Sequence, residues 1–399
     1  VTNKYKHTGC DNQAIKKRIL AFPANLHYTT PKFSMPMHFQ QLDTPALLID
    51  LDRLEANIAR MAALAQSHGV KLRPHTKTHK CPEIAKMQIA AGAAGVTCAK
   101  LGEAEATAAA GVDDILIANQ IIGEQKFKRL IELSKKAKVC VAVDSVFGAK
   151  SLNAALAQFN QTLDLVIEIN CGQNRAGVLP GEEALNLAKE IAPFKQLKLR
   201  GLMTHGGHAY NQATREGIEK IGRAEGRVMV ETAELLRSNG IPVETVSVGS
   251  TPTAQFCASV SGVTEIRPGT YVFYDLTQVD LFACRLEDCA LTVLATVISC
   301  PASNRAVIDA GKKALTSDPR GRSGKDGGYG LILEKQVAIT RLSEEHGVIE
   351  SDAQFEIGEK VRILPNHACV VVNMFDEMYG IRDGQVERVF EITCRGKMT

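Results

Sequence analysis

The chain has 399 residues, of which 45% are hydrophobic and 23% charged, with no tryptophan and a formal net charge of +3. That composition is globular, with room for one large domain and a smaller one, and it contains no run of about 18 apolar residues to cross a membrane. The positive charge does not point to a nucleic-acid partner, because all of it lies in the first 41 residues.

Six basic side chains there (Lys4, Lys6, Lys16, Lys17, Arg18 and Lys32) stand against one acid, Asp11, so the remaining chain is mildly acidic. A nucleic-acid-binding body would carry a basic face instead. The eleven cysteines are scattered, odd in number and never spaced Cys-x-x-Cys. Most sit in apolar runs, as Cys140 does in Val-Cys-Val-Ala-Val, so free buried thiols in a reducing compartment are expected. With no secretory apolar segment of the usual kind, the expected location is the cytoplasm.

Residues 1–41 are polar and basic, with one short helical stretch at 14–21. They read as an arm, either disordered or packed on a partner subunit, or as an extension upstream of an initiator at Met35 or Met37. A sharp start follows at Leu42-Asp43-Thr44-Pro45. The apolar run 46–51 then leads into a helix that Asp52 can cap, with Leu54, Ile58, Met61 and Ala65 on one face at helical period. Eight strand candidates come next: 70–77, 95–100, 114–119, 138–145, 164–171, 198–206, 244–250 and 269–274. Helices are signalled between them by Pro82 at a first-turn position and by the amphipathic stretches 125–136, 182–191 and 214–237. Runs such as 139–143 and 165–169 are apolar nearly throughout, as strands covered on both faces are. This rhythm predicts a (β/α)8 barrel over residues 42–285; a doubly wound sheet gives the same alternation with fewer strands. After 285 the pattern turns to short β-type runs (291–298, 305–308, 337–341, 360–364, 370–374 and 386–392), so residues 286–399 read as a smaller, mainly-β domain. The Gly- and charge-rich stretch 317–330 reads as an exposed loop.

The densest polar cluster, Arg73-Pro74-His75-Thr76-Lys77-Thr78-His79-Lys80, ends the first strand candidate. Barrels build their sites at that end of the strands, and a screened lysine there can serve as a Schiff-base nucleophile. From spacing alone a basic surface loop remains the other reading. Asn174-Arg175 follows the fifth strand candidate, and Thr204-His205-Gly206-Gly207-His208-Ala209-Tyr210 the sixth. His205 and Tyr210 are candidate cofactor or substrate contacts. Gly249-Ser250-Thr251 ends the seventh and opens a short helix, a turn type suited to phosphate, and Gly269-Thr270-Tyr271 would complete the cup. In Pro365-Asn366-His367-Ala368-Cys369 an extended segment would turn imidazole and thiol to one face. Two donors suit a catalytic Zn²⁺ with open positions, although His-x-Cys by itself usually carries no metal.

Thr44-Pro45-Ala46-Leu47-Leu48-Ile49-Asp50 and Leu72-Arg73-Pro74-His75-Thr76-Lys77-Thr78-His79-Lys80 resemble the opening of the D-threonine aldolase and D-serine dehydratase family, which shares the alanine-racemase barrel. The resemblance extends over nearly all of the chain beyond the first forty residues. It implies pyridoxal 5'-phosphate held by Lys77, with His75 nearby and Arg175 beside the cofactor's phenolic oxygen. It also implies a divalent metal, zinc first and manganese second, on His367 and Cys369. His346 falls in a family segment near the domain interface and is carried as a catalytic candidate. A homodimer and a small D-amino acid substrate are implied in the same way. The dehydratase branch pairs His with Cys where aldolases tend to have His-x-Asp, so the expected reaction is α,β-elimination of a D-3-hydroxy amino acid to a 2-oxo acid and ammonia. D-Threonine aldolase chemistry is the alternative, with racemisation and a non-catalytic cofactor carrier behind it.

Overall fold

A computed structural model describes residues 37–320 and 327–399; Met35 and most of the N-terminal arm lie outside the described residues. Strand β1 (Ala46–Asp50) runs straight into helix α1 (Leu51–Ser67). The helix cap is Asp50, which accepts from Arg53 N at 3.0 Å, and not Asp52. Asp50 is the last residue with extended backbone, so its carboxylate reaches the orphan amides, while Asp52 lies in the first turn and complements the helix dipole. Leu51, Leu54, Ile58, Met61 and Ala65 form the buried face.

The barrel strands are β2 (Lys71–Leu72), β3 (Val96–Cys98), β4 (Asp114–Gln120), β5 (Lys138–Val143), β6 (Leu163–Ile169), β7 (Leu197–Thr204), β8 (Thr245–Val248) and β9 (Glu265–Ile266). They form one parallel sheet in the order β2-β9-β8-β7-β6-β5-β4-β3. A parallel bridge between His75 and Thr97 joins its two ends, with Thr76 N donating to Thr97 O and Thr97 N to Pro74 O. The expected strand 70–77 is therefore broken after Leu72, where Pro74 brings no N–H to the ladder. The eighth strand is Glu265–Ile266 and not 269–274, which holds a 3₁₀ turn at Thr270–Val272. Tyr271 and Phe273 are fully buried. Their aromatic, β-favouring composition reflects core packing and not pairing.

Inside the barrel, Leu116, Ala142, Val166 and Met203 form an apolar layer. Below it Arg73 bonds Asp114 at 2.6 Å and Glu265 at 2.8 Å. Around the barrel run α2 (Pro82–Ala90), α3 (Leu101–Ala109), α4 (Glu124–Ser134), α5 (Val146–Gln158), α6 (Glu182–Ile191) and α7 (Arg215–Ser238). The shorter α8 (Ala254–Ala258) and α9 (Leu276–Asp280) follow β8 and β9.

The second domain contains β10 (Leu291–Ala302), β11 (Arg305–Ile308), α10 (Lys312–Leu315), β12 (Leu331–Ile332), β13 (Val337–Ala338), β14 (Arg341–Leu342), β15 (Gly347–Glu350), β16 (Lys360–Leu364), α11 (Ala368–Val372), β17 (Glu377–Arg382) and β18 (Gln385–Glu391). Its sheet takes in β1, which lies between β10 and β17. The expected boundary at 42 therefore assigns one strand to the wrong body. Residues 37–41, expected in the arm, also belong here, since His38 bridges Gln385 and Val386 N bonds Met37 O. The expected β-run 370–374 is instead α11: Ala368, Val371 and Val372 share its buried side, so tertiary packing overrides valine's strand preference. Among the described residues no helix is long and apolar enough to cross a membrane. All the described cysteines are free, and Cys140, Cys171, Cys284, Cys300 and Cys369 are only partly buried.

Candidate active site

The C-terminal ends of the barrel strands enclose a cavity of about 240 Å³. His75, Lys77, Arg175, His205 and Tyr210 line it, as do the turn residues Gly249, Ser250 and Thr251 and, after the neighbouring strand β9, Gly269 and Thr270. Lys77 stands just beyond the bridge that joins the sheet's ends. Burial pushes its amine below the usual lysine range; Arg175 and Arg267 add to this, against the opposing pull of Cys369 and Glu103. Among the described residues no carboxylate pairs with Lys77 Nζ, so a lowered, uncommitted amine faces the cavity, the condition for a lysine nucleophile. Its backbone N–H donates to His75 Nδ1 at 3.4 Å, which leaves the ring proton on Nε2. Burial and the Lys77 charge hold His75 well below the ordinary imidazole range, and burial does the same for His205. Both rings are neutral at pH 7.

The turn after β8 has Gly249 at φ 90°, a left-handed conformation that favours glycine. Ser250 N donates to Thr253 Oγ1 at 2.9 Å, which tightens the turn into α8. Gly269 is needed for a close approach: a Cβ there would lie 3.0 Å from His75 O and 3.1 Å from Thr78 Oγ1. Tyr210 accepts from Gln278 Nε2 at 3.3 Å, and burial keeps its phenol protonated.

His367 occupies the position just before α11 and Cys369 follows in its first turn, so the two donors meet through a helix start and not along an extended strand. His367 Nδ1 lies 2.6 Å from Asp318 Oδ2, and the ring also contacts the Cys369 thiol. Cys369 Sγ is 3.2 Å from Thr78 Oγ1 and 3.7 Å from Thr270 Oγ1. Burial alone would push this thiol up, but the His367 contact and Lys77 more than offset it, and the net shift is downward. Burial likewise works against a charged His367, yet Cys369 and Asp318 raise it to about 10. Asp275 ties this segment to the barrel, accepting from Ala368 N at 2.9 Å and from Gln278 N at 2.9 Å.

Two expected residues lie elsewhere. Tyr271 is fully buried, with its hydroxyl accepting from Gln88 Nε2 at 2.9 Å; the 3₁₀ turn carries it behind the cup, away from the cavity lining. His346 is exposed on the turn between β14 and β15 and does not line the cavity.

A profile of the alanine racemase N-terminal domain matches residues 49–277, and one of a serine dehydratase domain matches 290–381. D-Threonine aldolase from Arthrobacter sp. is 36% identical over 89% of this chain and 93% of its own length. D-threo-3-Hydroxyaspartate dehydratase from Delftia sp. (strain HT23) is 38% identical over 87% and 96%. The chain belongs to the D-serine dehydratase and D-threonine aldolase family. It is a pyridoxal-phosphate-dependent lyase of D-3-hydroxy amino acids. Its fold agrees with the solved D-threonine aldolase of Filomicrobium marinum at a TM-score of 0.85 and 33% identity, covering 93% of this chain and all of that one. A D-threo-3-hydroxyaspartate dehydratase has been solved with a histidine replaced and, two positions on, with a cysteine replaced, the latter in a metal-free form.

Within this family frame, several cavity groups carry no motif visible in the sequence. Arg267 lines the cavity, donates to Ser247 Oγ at 2.5 Å and bonds Thr204 O. Glu168 accepts from Gln120 Nε2 and faces Arg175 at 3.5 Å, so Arg175 both lines the cavity and pairs a carboxylate. The donors suit the family's groups. An amine without a counter-ion beside two arginines fits an anionic aldehyde cofactor. An imidazole next to a thiol of lowered pKa fits a borderline-soft divalent cation, which would take the place of the shared proton. Among the described residues no third His, Cys, Asp or Glu joins them as a ligand set, which leaves coordination positions open.

Proposed function

We propose that this chain eliminates the β-hydroxyl of a D-3-hydroxy amino acid such as D-serine or D-3-hydroxyaspartate, releasing a 2-oxo acid and ammonia. The observation that carries this reading is the second metal donor, a thiol (Cys369) and not a carboxylate, held against His367 and beside the Lys77 loop. Pyridoxal phosphate, when bound, supplies the electron sink for the bond broken at Cα. Lys77 would hold it, Arg175 would lie by its phenolic oxygen, and the turns at Gly249–Thr251 and Gly269–Thr270 would take its phosphate. With its pKa lowered by burial, Lys77 Nζ is suited to accept the Cα proton near neutral pH. His75 and His205, both neutral, orient polar groups of the substrate without adding charge. His367 and Cys369 would hold zinc, with manganese second, and the ion would supply positive charge at the β-oxygen.

Cleavage to glycine and an aldehyde is the second reading. It is favoured by the neutral His205 on the cavity wall, a group able to take the hydroxyl proton which that reaction removes. We place the enzyme in the cytoplasm as a homodimer, in line with its free thiols and its family. Incubation with D-serine, D-threo-3-hydroxyaspartate and D-threonine separates the readings. Oxo acid and ammonia in equal amounts are expected; glycine with an aldehyde would overturn the elimination.

A further inference from the structure

Helix α7 carries a buried carboxylate, Glu225, that does not line the cavity. Its Oε1 accepts from Gly206 N at 3.1 Å and from Gly249 N at 2.8 Å. Its Oε2 accepts from Thr253 Oγ1 at 3.3 Å and from Cys257 Sγ at 3.2 Å. One carboxylate thus holds the turn after β7, the turn after β8 and the start of α8. Among the described residues it forms no ion pair within 4 Å, and all four of these hydrogen-bond donors are neutral.

The surrounding sequence is shaped for this approach. A Cβ at Gly206 would stand 2.3 Å from Glu225 Oε2. On α7 itself, a Cβ at Gly222 would stand 2.9 Å from Phe256 Cβ, and one at Gly226 would stand 2.7 Å from Val260 Cγ2. Glycines interrupt a helix at a cost in propensity; here they bring α7 close enough for a short side chain to reach both turns.

We propose that Glu225 is a positioning residue that sets the affinity of the Gly249–Thr251 turn for the phosphate of the cofactor. This rests on the cofactor reading given above. By taking the Gly249 N–H and the Thr253 proton, Glu225 leaves Thr253 Oγ1 as an acceptor for Ser250 N, which stands 2.9 Å away. Ser250 Oγ also lies 3.0 Å from Thr253 Oγ1, so the same anchor fixes the turn on which Ser250 and Thr251 line the cavity, where an anion can meet it. The carboxylate acts on geometry from behind and contributes nothing to the ring or the reacting bond.

The test compares pyridoxal phosphate with pyridoxal, which lacks the phosphate, in titrations of apoenzyme prepared from the holoenzyme. The variants are Glu225→Gln and Glu225→Ala. The dissociation constant for pyridoxal phosphate should rise about tenfold or more, the loss of one or two charge-assisted hydrogen bonds. Pyridoxal binding should stay within about twofold, and kcat at saturating cofactor should change little. The less disruptive Gln variant keeps the comparison available if Ala does not fold. Equal weakening of both ligands, or no change in either, overturns the proposal. If unmodified protein binds neither ligand, the cofactor reading itself has failed, a separate outcome.

Discussion

Cys369 Sγ of the second domain stands 3.2 Å from Thr78 Oγ1 of the barrel, and Thr78 is the residue after Lys77. The candidate metal donor and the candidate cofactor lysine are thereby fixed to each other across the two domains. Asp275 supports the same junction from the other side through its bond to Ala368 N. A cofactor held by Lys77 would therefore lie beside a donor pair whose position the barrel itself sets.

The lysine comes first. Purified protein should absorb near ~415 nm, the band of a lysine-bound pyridoxal phosphate. Lys77→Ala should lose that band and at least about three orders of magnitude in kcat, since both attachment and the Cα base go with it. An unchanged spectrum in the variant would remove Lys77 from the site.

The metal pair makes a separate prediction. Chelation should abolish turnover while leaving the ~415 nm band in place, and added Zn²⁺ should restore activity. Asp318 orients His367 through its 2.6 Å contact with Nδ1, so Asp318→Asn should weaken metal binding by about 10–100-fold, read by competition with a chromophoric chelator. Full activity after exhaustive chelation would refute a metal role for His367 and Cys369.

That Lys77, Arg175 and the Gly249–Thr251 turn face one cavity is legible in the sequence, because each follows an apolar strand-like run with a distinctive polar cluster. Arg267 is not, since it lies among core residues beside the two-residue strand β9 and reaches the cavity only when the barrel is formed. Glu225 falls within the amphipathic stretch 214–237 with no spacing that marks it; its burial is a property of the α7–α8 packing. Residues 269–274 and 370–374 misled for one physical reason. Aromatic and β-branched residues are enriched wherever side chains pack densely, and both segments are helical turns pressed into the core. β1 was placed in the barrel because it precedes α1 in a βα pattern, whereas its pairing partners lie more than 240 residues on.

Stability should fall with acid in a way that one histidine helps to set. His79 is fully buried, and burial lowers its imidazole from 6.5 to about 4. Its Nδ1 accepts from Cys81 N at 3.1 Å. The unfolded chain takes up this proton near pH 6.5 and the folded one only near 4. The contribution is therefore complete above pH 6.5 and is lost as pH falls towards 4, to a total of about 3 kcal/mol. Urea midpoints at pH 7, 5.5 and 4.5 should show the decline, and His79→Asn should flatten it. A variant with the same slope as the parent protein would contradict this assignment.

Barrel closure supplies the last prediction. Gly201 in β7 pairs with Thr245 in β8, and a Cβ at Gly201 would stand 2.0 Å from Thr245 O. Both atoms sit in backbone that the parallel ladder holds, so neither can turn aside as a flexible side chain would. Gly201→Ala must then spread two strands whose far ends carry His205 and Gly249, neighbouring parts of the cavity lining. The expected cost is about 1–3 kcal/mol in unfolding free energy, as for other overpacked cores, together with weaker pyridoxal-phosphate binding, because the two turns would no longer converge. Urea denaturation with and without excess cofactor separates these effects. An unchanged midpoint would mean that the β7–β8 contact yields more readily than this backbone geometry allows.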